Sequence, residues 1–349
     1  MKEPSRSIPL FDGSPFVDPD KRRSIADCVG KDPTSIKRTS VIAYGQTVRD
    51  IEGLLVSAGH GIERVKLFSD YAALRPDLPE VQQLCASHGV DFYVGGGVLE
   101  NRTQKESLRV VEHMQSMGID TVEVSNGDGE LSMKEFEKLT AKVRGMVGTV
   151  LVEIGRKTRG DQDPDVWSDE MKMALDNGAD RIVLEGSGSG LSGIYDQDGQ
   201  AKTAFAALLL HRHAAAREKL VVEAPHRQQQ VHWMTCGGLG WDARFGNVAA
   251  DREVLDLLDD RVEQMGVKER ETAQKNKKEW ETLSASIEAA RKKERHSIDV
   301  VLNTLGNVCL CRPGTGKIIK ERIEELAGGE PRSGSIFGGF FGGSRIIRF

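Results

Sequence analysis

The sequence predicts a (β/α)8 TIM barrel, a ring of eight parallel strands in which a helix follows each strand. Short apolar runs rich in β-branched residues alternate with helical patterns over about 225 residues. Four of these runs end in a glutamate, and successive members lie 30, 32 and 38 residues apart, at Glu123, Glu153, Glu185 and Glu223. That spacing is about the length of one strand-plus-helix unit. An open, doubly wound sheet is the alternative that the same alternation allows.

The predicted strands are short, apolar and bounded by glycine, proline or polar turn residues. Near-continuous apolar runs of this kind are typical of strands buried on both faces of a parallel sheet. In chain order, the strands are predicted at 40–44, at 64–68, at 91–94, in the three runs that contain Glu123, Glu153 and Glu185, at 220–223 and, more weakly, at 243–248.

The predicted helices show helical patterning between the strands, and two of them carry clear end signals. Ser132 with Glu135 three residues later is a capping box, and Asn177-Gly178 is a common helix end. In chain order, the first three helices are predicted at 47–58, 78–88 and 103–117. The fourth begins at 132 and the fifth ends at 177. The last three are predicted at 203–218, 228–235 and 252–262.

The chain continues beyond the predicted barrel at both ends. A polar, proline-rich arm is predicted at 1–38 and the barrel at 39–265. A C-terminal helical extension is predicted at 266–328, and a flexible tail rich in glycine and phenylalanine at 329–349. The extension is dense in charge and carries one narrow apolar stripe of Trp280, Leu283 and Ile287. Such a stripe is expected to pack on the barrel or on a sister subunit, and we expect a homo-oligomer.

The composition excludes several classes of function. Of the 349 residues, 38% are hydrophobic and 29% are charged, as expected for a soluble globular protein. The net charge of −5 argues against a general nucleic-acid binder, which needs a basic surface. No apolar run is long enough to span a membrane, and the first residues do not resemble a secretory signal, so we expect a cytoplasmic protein. The five cysteines are odd in number and scattered, which favours reduced thiols.

The four strand-end glutamates are the main candidates for a functional site. The carboxyl ends of parallel strands form one face of the barrel, where ligands bind. Four carboxylates at that face would raise one another's pKa unless a cation offset their charge. Hard oxygen ligands favour Mg²⁺, so Glu123, Glu153, Glu185 and Glu223 are predicted metal ligands. The alternative is that these glutamates cap helices or pair with lysines.

Two further features predict an anion site at the same face. The backbone N–H groups of Gly188, Ser189 and Gly190, in a glycine-rich loop after the sixth strand, are able to hold a phosphate. Alternatively, this segment is only a mobile loop. Three arginines are predicted in strand-end loops, where each is able to contact an anion: Arg156, Arg227 and Arg244.

Several motifs resemble those of the phosphosulfolactate synthase family, in the same order along the chain. The most specific are Glu-Ala-Pro at 223–225 with Gln-Gln at 229–230, and Gly-Asn-Val at 246–248. The remaining matches are Glu-Val-Ser-Asn-Gly at 123–127, Val-Glu-Ile-Gly-Arg-Lys at 152–157 and the segment 177–186. Together the matches extend over roughly 40–261, so the resemblance covers the predicted barrel.

The resemblance implies a (β/α)8 enzyme that adds sulfite to phosphoenolpyruvate with Mg²⁺, a carbon–sulfur bond-forming step of coenzyme M biosynthesis. The partner would be a small anionic substrate. Charge would build on the substrate carboxylate, where a metal ion and a nearby lysine stabilise it. Lys66 and Lys157 are candidates for protonating C2, because neighbouring cations lower a lysine's pKa, and Glu153 would act beside them. Ser125 and Asn247, in matching motifs, are predicted to contact the substrate.

The sequence departs from the family pattern in three strand-end loops. The family has Asp-Lys-Gly after its first strand, Ser-Asp-Gly after its fourth and Arg-Glu-Ser-Gly after its sixth. This chain has Tyr-Gly-Gln at 44–46, Ser-Asn-Gly at 125–127 and Ser-Gly-Ser-Gly at 187–190. Two alternatives therefore stand beside sulfite addition: a related enzyme with another nucleophile or phospho-acid, and a non-catalytic, stress-associated barrel.

Overall fold

A computed structural model of the chain describes residues 37–68, 74–157, 162–234, 239 and 242–264, together with 285, 288, 289 and 292. Nearly all of the predicted arm, extension and tail lies outside these residues, as does the apolar stripe of Trp280, Leu283 and Ile287. One described residue of the extension, Glu288, accepts a hydrogen bond of 2.8 Å from Arg212.

Eight parallel strands form one nearly closed ring. In chain order, β1 to β8 span Thr39–Ala43, Ile62–Leu67, Asp91–Val94, Thr121–Val124, Thr149–Ile154, Arg181–Leu184, Leu220–Glu223 and Arg244–Ala249. The hydrogen-bonded order β3-β2-β1-β8-β7-β6-β5-β4 pairs the first strand with the last. The end strands of this order, β3 and β4, meet where the Gly96 N–H donates to Glu123 Oε1 at 2.7 Å. The predicted (β/α)8 barrel is confirmed, and the doubly wound alternative is wrong.

The helices follow the strands in regular alternation. In chain order, α1 to α8 span Val48–Ala58, Leu78–Ser87, Gln104–Ser116, Met133–Arg144, Pro164–Asp176, Thr203–Arg212, Arg227–Met234 and Arg252–Gln264. The predicted capping box of Ser132 and Glu135 is present at the start of α4. The helix predicted at 203–218 ends earlier, because His213 leaves helical geometry, and a 3-10 helix continues over Ala214–Lys219.

No helix in the described ranges combines the length and the apolar composition that crossing a lipid bilayer would require.

Alternation along the strands divides the barrel into an outer core and a layered interior. Residues such as Val152 and Val222 face the helices and belong to the main apolar core. On each strand, the residues that alternate with these face the interior of the barrel. A separate apolar cluster fills the middle of the interior with Tyr93, Leu151, Val183 and Val221. Three of these four stand two residues before a glutamate, so the glutamates share their inward direction and lie nearer the carboxyl ends of the strands.

Ionic contacts close the amino-terminal end of the barrel. Glu63 accepts a hydrogen bond of 2.9 Å from Arg181 and lies 2.6 Å from Arg64 Nη1 and 3.5 Å from Arg244 Nε. Arg244 begins β8 and therefore lies at the end of the barrel opposite to the strand-end glutamates. The sequence predicts Arg244 in a strand-end loop near the candidate site, but this residue is the first of β8 and lies near Glu63 instead.

Candidate active site

The four strand-end glutamates converge around one lysine at the carboxyl end of the barrel. Lys66, near the end of β2, has its Nζ 2.9 Å from Glu123 Oε1, 3.2 Å from Glu223 Oε1 and 3.7 Å from Glu153 Oε2. All five residues of this group, which we call the carboxylate cluster, are at most 5% exposed. The parallel strands bring residues that are 30 to 157 positions apart to one place, because their inward faces end at the same level.

Three of the glutamates are arranged so that they can hold a metal ion. One carboxylate oxygen from each of Glu153, Glu185 and Glu223 lies within 4.8 Å of the others. Two buried oxygens in the carboxylate cluster, Oε2 of Glu123 and Oε2 of Glu185, have no hydrogen-bond partner among the described residues. Unpaired carboxylate oxygens in a buried place are costly, and a hard divalent cation held by Glu153, Glu185 and Glu223 would satisfy the one on Glu185. The donor set therefore fits such an ion.

The pKa values in the carboxylate cluster show the cost of placing these charges together. Burial, and then the charges of Glu185 and Glu223, raise the pKa of Glu153 well above its usual range. Burial and the charge of Glu223 raise the pKa of Glu185 to about 7. Burial alone would lower the pKa of Lys66, but the charges of Glu123 and Glu223 raise it well above its usual value. Lys66 is therefore a fixed ammonium that offsets only part of the negative charge.

Lys157, after β5, is held by a second buried carboxylate. Its Nζ is 2.5 Å from Glu100 Oε2, and its backbone N–H donates to the Gly127 carbonyl at 2.9 Å. Burial alone would lower the pKa of Lys157, but the charge of Glu153 and the hydrogen bond to Glu100 raise it. The sequence-based expectation was that neighbouring cations would lower the pKa of both lysines. Their nearest neighbours are carboxylates instead, so both lysines keep their protons.

A cavity of about 280 Å³ opens onto the carboxylate cluster. This volume lies just below the range of about 300–1,000 Å³ typical of sites for drug-sized ligands, so it suits a small molecule. Its walls combine the carboxylate cluster with Lys157, two loop segments rich in glycine and one aromatic ring, and they consist of Lys66, Phe68, Gly95, Gly96, Gly97, Glu123, Glu153, Lys157, Glu185, Ser187, Gly188, Glu223 and Asn247.

The glycine-rich loop after β6 is pinned by its own hydrogen bonds. Ser189 N–H donates to Ser187 Oγ at 3.2 Å, and Gly190 N–H donates to the Ser187 carbonyl at 3.3 Å. The amide group of Gln229 donates to the Gly190 carbonyl at 2.8 Å. Of the three predicted anion-binding residues, Gly188 is the one on the cavity wall. Two of the three N–H groups are therefore already engaged within the loop.

Two of the predicted anion-binding arginines are engaged by acids outside the cavity wall. Arg156 Nη1 is 2.5 Å from Glu170 Oε1, and Glu170 also accepts the Gly155 N–H at 2.9 Å. Arg227 makes a bidentate pair with Asp260, with distances of 2.7 and 2.8 Å. Both arginines therefore hold a strand-end segment in place, Arg156 after β5 and Arg227 at the start of α7.

Asn247 points into the cavity from a bulge in β8. β1 pairs with β8 at Thr39–Phe245 and again at Val41–Val248, so β8 carries one extra residue between these pairs. Asn247 has a φ of 55°, in the left-handed region that is unfavourable for most residues other than glycine. Its side chain is buried, lines the cavity, and has an Oδ1 without a hydrogen-bond partner among the described residues. Bulges beside active sites commonly redirect a side chain in this way.

Glu100 is the main site residue that the sequence did not reveal. It lies in the loop between β3 and α3, and its carboxylate accepts hydrogen bonds from Ser125 Oγ at 2.8 Å and from Gly127 N–H at 2.7 Å. Ser125 therefore contacts this carboxylate. Glu100 belongs to no apolar run and stands at no repeated position. The one available signal was its place shortly after Gly95-Gly-Gly97, a strand-end loop.

Comparisons with known proteins identify one family. Residues 30–266 match the family model described as (2R)-phospho-3-sulfolactate synthase. The chain is 27% identical over 228 residues to a phosphosulfolactate synthase of Methanocaldococcus jannaschii, covering 63% of this chain and 88% of that protein. It is 29% identical over 179 residues to a phosphosulfolactate synthase of Methanothermobacter thermautotrophicus, covering 50% and 68%.

Among solved structures, the chain is similar to the deoxyribose phosphate aldolase from Aeropyrum pernix, with a TM-score of 0.44 and 14% sequence identity. This similarity covers 68% of this chain and 94% of that chain.

The raised pKa of Glu185 predicts a pH-dependent effect of neutralising it. Its pKa is about 7 in the folded protein against an ordinary value of 4.5, so the folded state loses stability as the pH rises from 4.5 through 7. In buffer that contains a metal chelator, Glu185→Gln should raise the free energy of unfolding by less than about 1 kcal/mol at pH 5 and by about 3 kcal/mol at pH 8. Denaturant titrations at both pH values measure this. The exposed Glu112→Gln is the control, and an equal effect of Glu185→Gln at both pH values would contradict the prediction.

Asn247→Gly is predicted to leave the fold at least as stable as before. Glycine relieves the positive φ and removes a buried unpartnered oxygen, so the free energy of unfolding should stay constant or rise by up to about 1 kcal/mol. The matched control is Asn126→Gly, since Asn126 is equally buried but its side chain makes two hydrogen bonds with Leu131. That change should cost about 1–3 kcal/mol. Equal losses for the two variants, measured by denaturant unfolding, would show that Asn247 serves the fold.

Proposed function

Because this chain belongs to the (2R)-phospho-3-sulfolactate synthase family, we propose that it adds sulfite to C3 of phosphoenolpyruvate, with Mg²⁺ as cofactor, to give phosphosulfolactate. The observation that carries this proposal is the carboxylate cluster, in which Lys66 lies among buried glutamates below a small cavity. The chemistry needs a place where negative charge on a small acid is stabilised, and a cation held by these carboxylates would supply it.

The reaction forms one carbon–sulfur bond and needs one proton. The sulfur lone pair of sulfite attacks C3 of phosphoenolpyruvate, and the electrons of the C2–C3 double bond move toward C2 and its carboxylate. A proton delivered to C2 then completes the product, while the bond to phosphate stays intact. Nothing is oxidised or reduced overall, so the site needs only charge stabilisation, orientation of the two anions and one proton donor.

The metal-binding role falls to Glu153, Glu185 and Glu223, whose oxygens lie close together. When bound there, Mg²⁺ supplies Lewis-acid stabilisation of the charge that develops on the substrate carboxylate. Lys66 orients these glutamates through its contacts with Glu153 and Glu223. Its ammonium also reduces the part of the repulsion between the carboxylates that remains after the metal has bound.

Lys157 is the better candidate for the proton donor and for contact with the substrate anion. Lys66 is in contact with three carboxylates, which hold its proton strongly. Among the described residues, Lys157 forms an ion pair with one carboxylate, that of Glu100, and its side chain is 38% exposed on the cavity wall. Its ammonium can therefore approach a substrate and regain a proton from solvent. Gly188 and Asn247 border the same cavity and would contact the remaining substrate oxygens.

The charge of the described cavity wall favours a second candidate, the addition of a less highly charged nucleophile. Phosphoenolpyruvate and sulfite are both multiply anionic, and the described wall carries two ammonium groups against four glutamates. Arg156 and Arg227 are already paired with Glu170 and Asp260. A neutral or singly charged nucleophile would therefore meet less repulsion in this cavity than sulfite does.

A substrate panel tests both candidates. Purified protein is incubated with phosphoenolpyruvate, Mg²⁺ and either sulfite or other nucleophiles, and the products are measured by mass spectrometry. We expect an adduct with sulfite that depends on Mg²⁺, and a loss of about 10²-fold or more in kcat/KM for Lys157→Met. The exposed Lys172→Met is the matched control and should keep full activity. An adduct formed only with another nucleophile would support the second candidate.

If the wild-type protein neither turns over nor binds any phospho-acid in calorimetry with Mg²⁺ present, the enzymatic proposal fails. A non-catalytic barrel would then be the better account of the chain.

A further inference from the structure

Glu100 joins three loops at the mouth of the barrel through one buried carboxylate. The residue is 8% exposed and lies between β3 and α3. Its Oε1 accepts the Ser125 hydroxyl at 2.8 Å and the Gly127 N–H at 2.7 Å, both from the loop after β4. Its Oε2 accepts Lys157 Nζ, from the loop after β5, at 2.5 Å. The loops after three successive strands therefore meet at this carboxylate.

The path of the Lys157 side chain is fixed on a second side by Gly127. A Cβ at position 127 would lie 2.6 Å from Lys157 Cε and 3.0 Å from Lys157 Cδ, so a side chain at this position would displace the lysine from its present path across the loop after β4. The backbone adds a further contact, because Lys157 N–H donates to the Gly127 carbonyl at 2.9 Å. The aliphatic part of Lys157 is thus packed against one loop while its ammonium is bound by Glu100 from another.

The two lysines on the cavity wall are held in different ways. Lys66 is 5% exposed and lies among Glu123, Glu153 and Glu223. The side chain of Lys157 is 38% exposed, and among the described residues its ion pair is with Glu100. Replacing one of several partners would move Lys66 little. The ammonium of Lys157, in contrast, has one ion-pair partner among the described residues, so Glu100 determines where this charge lies relative to the cavity.

We propose that Glu100 is a positioning residue for the reaction: it holds the Lys157 ammonium at the cavity wall in the place where that ammonium meets the anionic substrate. This inference rests on the proposed function for the substrate, but the Glu100–Lys157 coupling itself does not. Glu100 acts through Lys157 and is not expected to touch the substrate. The hydrogen bonds from Ser125 and Gly127 orient the carboxylate so that Oε2 is directed to the lysine.

The first test follows Lys157 directly and needs no substrate. Glu100→Gln keeps a carbonyl oxygen for Ser125 and Gly127 but removes the negative charge opposite Lys157. The full-length variant and the wild type are treated with a trace of acetic anhydride at pH 8, and acetylation of each lysine is measured by peptide mass spectrometry. We expect Lys157 to react about tenfold faster in Glu100→Gln, since losing a close opposite charge changes an amine's pKa by about one unit.

The matched control is Asp176→Asn, which removes the carboxylate partner of Lys172 in an exposed pair on α5. Exposed pairs are weak, so Lys172 should react no more than about twofold faster. Circular dichroism and denaturant unfolding establish that both variants fold. An unchanged acetylation rate of Lys157 in folded Glu100→Gln would overturn the proposal, because the lysine would then be held by other groups. If Glu100→Gln does not fold, Glu100→Asp, whose shorter side chain withdraws the charge from Lys157, replaces it in the same assay.

The second test asks whether Glu100 acts only through Lys157. Glu100→Gln and Lys157→Met are combined, and kcat/KM is measured for the adduct-forming reaction of the wild type. We expect each single change to lower kcat/KM by at least about tenfold and the double variant to resemble Lys157→Met, as neighbouring groups that act as one unit do. Additive losses would mean that Glu100 has another role and would overturn the proposal. If the wild type shows no reaction, the proposed function fails, and the acetylation result alone decides the Glu100–Lys157 coupling.

Discussion

The burial of four carboxylates around a single ammonium is the constraint on which the rest of this site depends. Lys66 offsets one charge, and two buried carboxylate oxygens have no hydrogen-bond partner among the described residues. Like charges this close raise one another's pKa, as the values of Glu153 and Glu185 show. The arrangement is therefore stable only with added protons or an added cation. A site that favours a cation in this way is well suited to stabilise a substrate carboxylate.

The barrel supplies what this arrangement needs. An apolar layer of Tyr93, Leu151, Val183 and Val221 lies beneath the carboxylate cluster and excludes water from below. Parallel pairing brings the strand ends to one level, and each glutamate extends inward from its own strand. The loops then fix the surroundings. Glu100 binds the loops after β4 and β5, and Glu170 holds the Gly155 N–H at the end of β5. The positions of the charges are thus set by contacts that themselves lie outside the carboxylate cluster.

Repeated sequence features predicted much of this molecule. The glutamates could be assigned to one end of a barrel because each follows an apolar run at the same position in a strand-plus-helix unit. The end of α5 and the start of α4 followed from local signals at Asn177-Gly178 and at Ser132, which act within one helical turn. These features share a physical property. Their causes lie within a few residues of the chain or recur at a fixed interval.

The features that the sequence did not reveal depend on partners far away in the chain. Arg227 was expected to contact an anion, but Asp260, on the next helix, binds it. The two lysines were expected to have lowered pKa values, and folding surrounds them with carboxylates instead. Glu100 carries no local signal, because its role arises only where three loops meet. Asn247 is predicted as a substrate contact from its motif, but the bulge that carries it appears only when β8 is paired with β1.

The most direct test of the central claim is a crystal of the protein soaked in Mn²⁺, which replaces Mg²⁺ at oxygen sites and gives an anomalous signal. We expect one strong anomalous peak between the carboxylates of Glu153, Glu185 and Glu223, with Lys66 still in contact with Glu123. A fully occupied Mn²⁺ peak elsewhere on the protein at neutral pH, with no anomalous peak in the carboxylate cluster, would contradict this prediction.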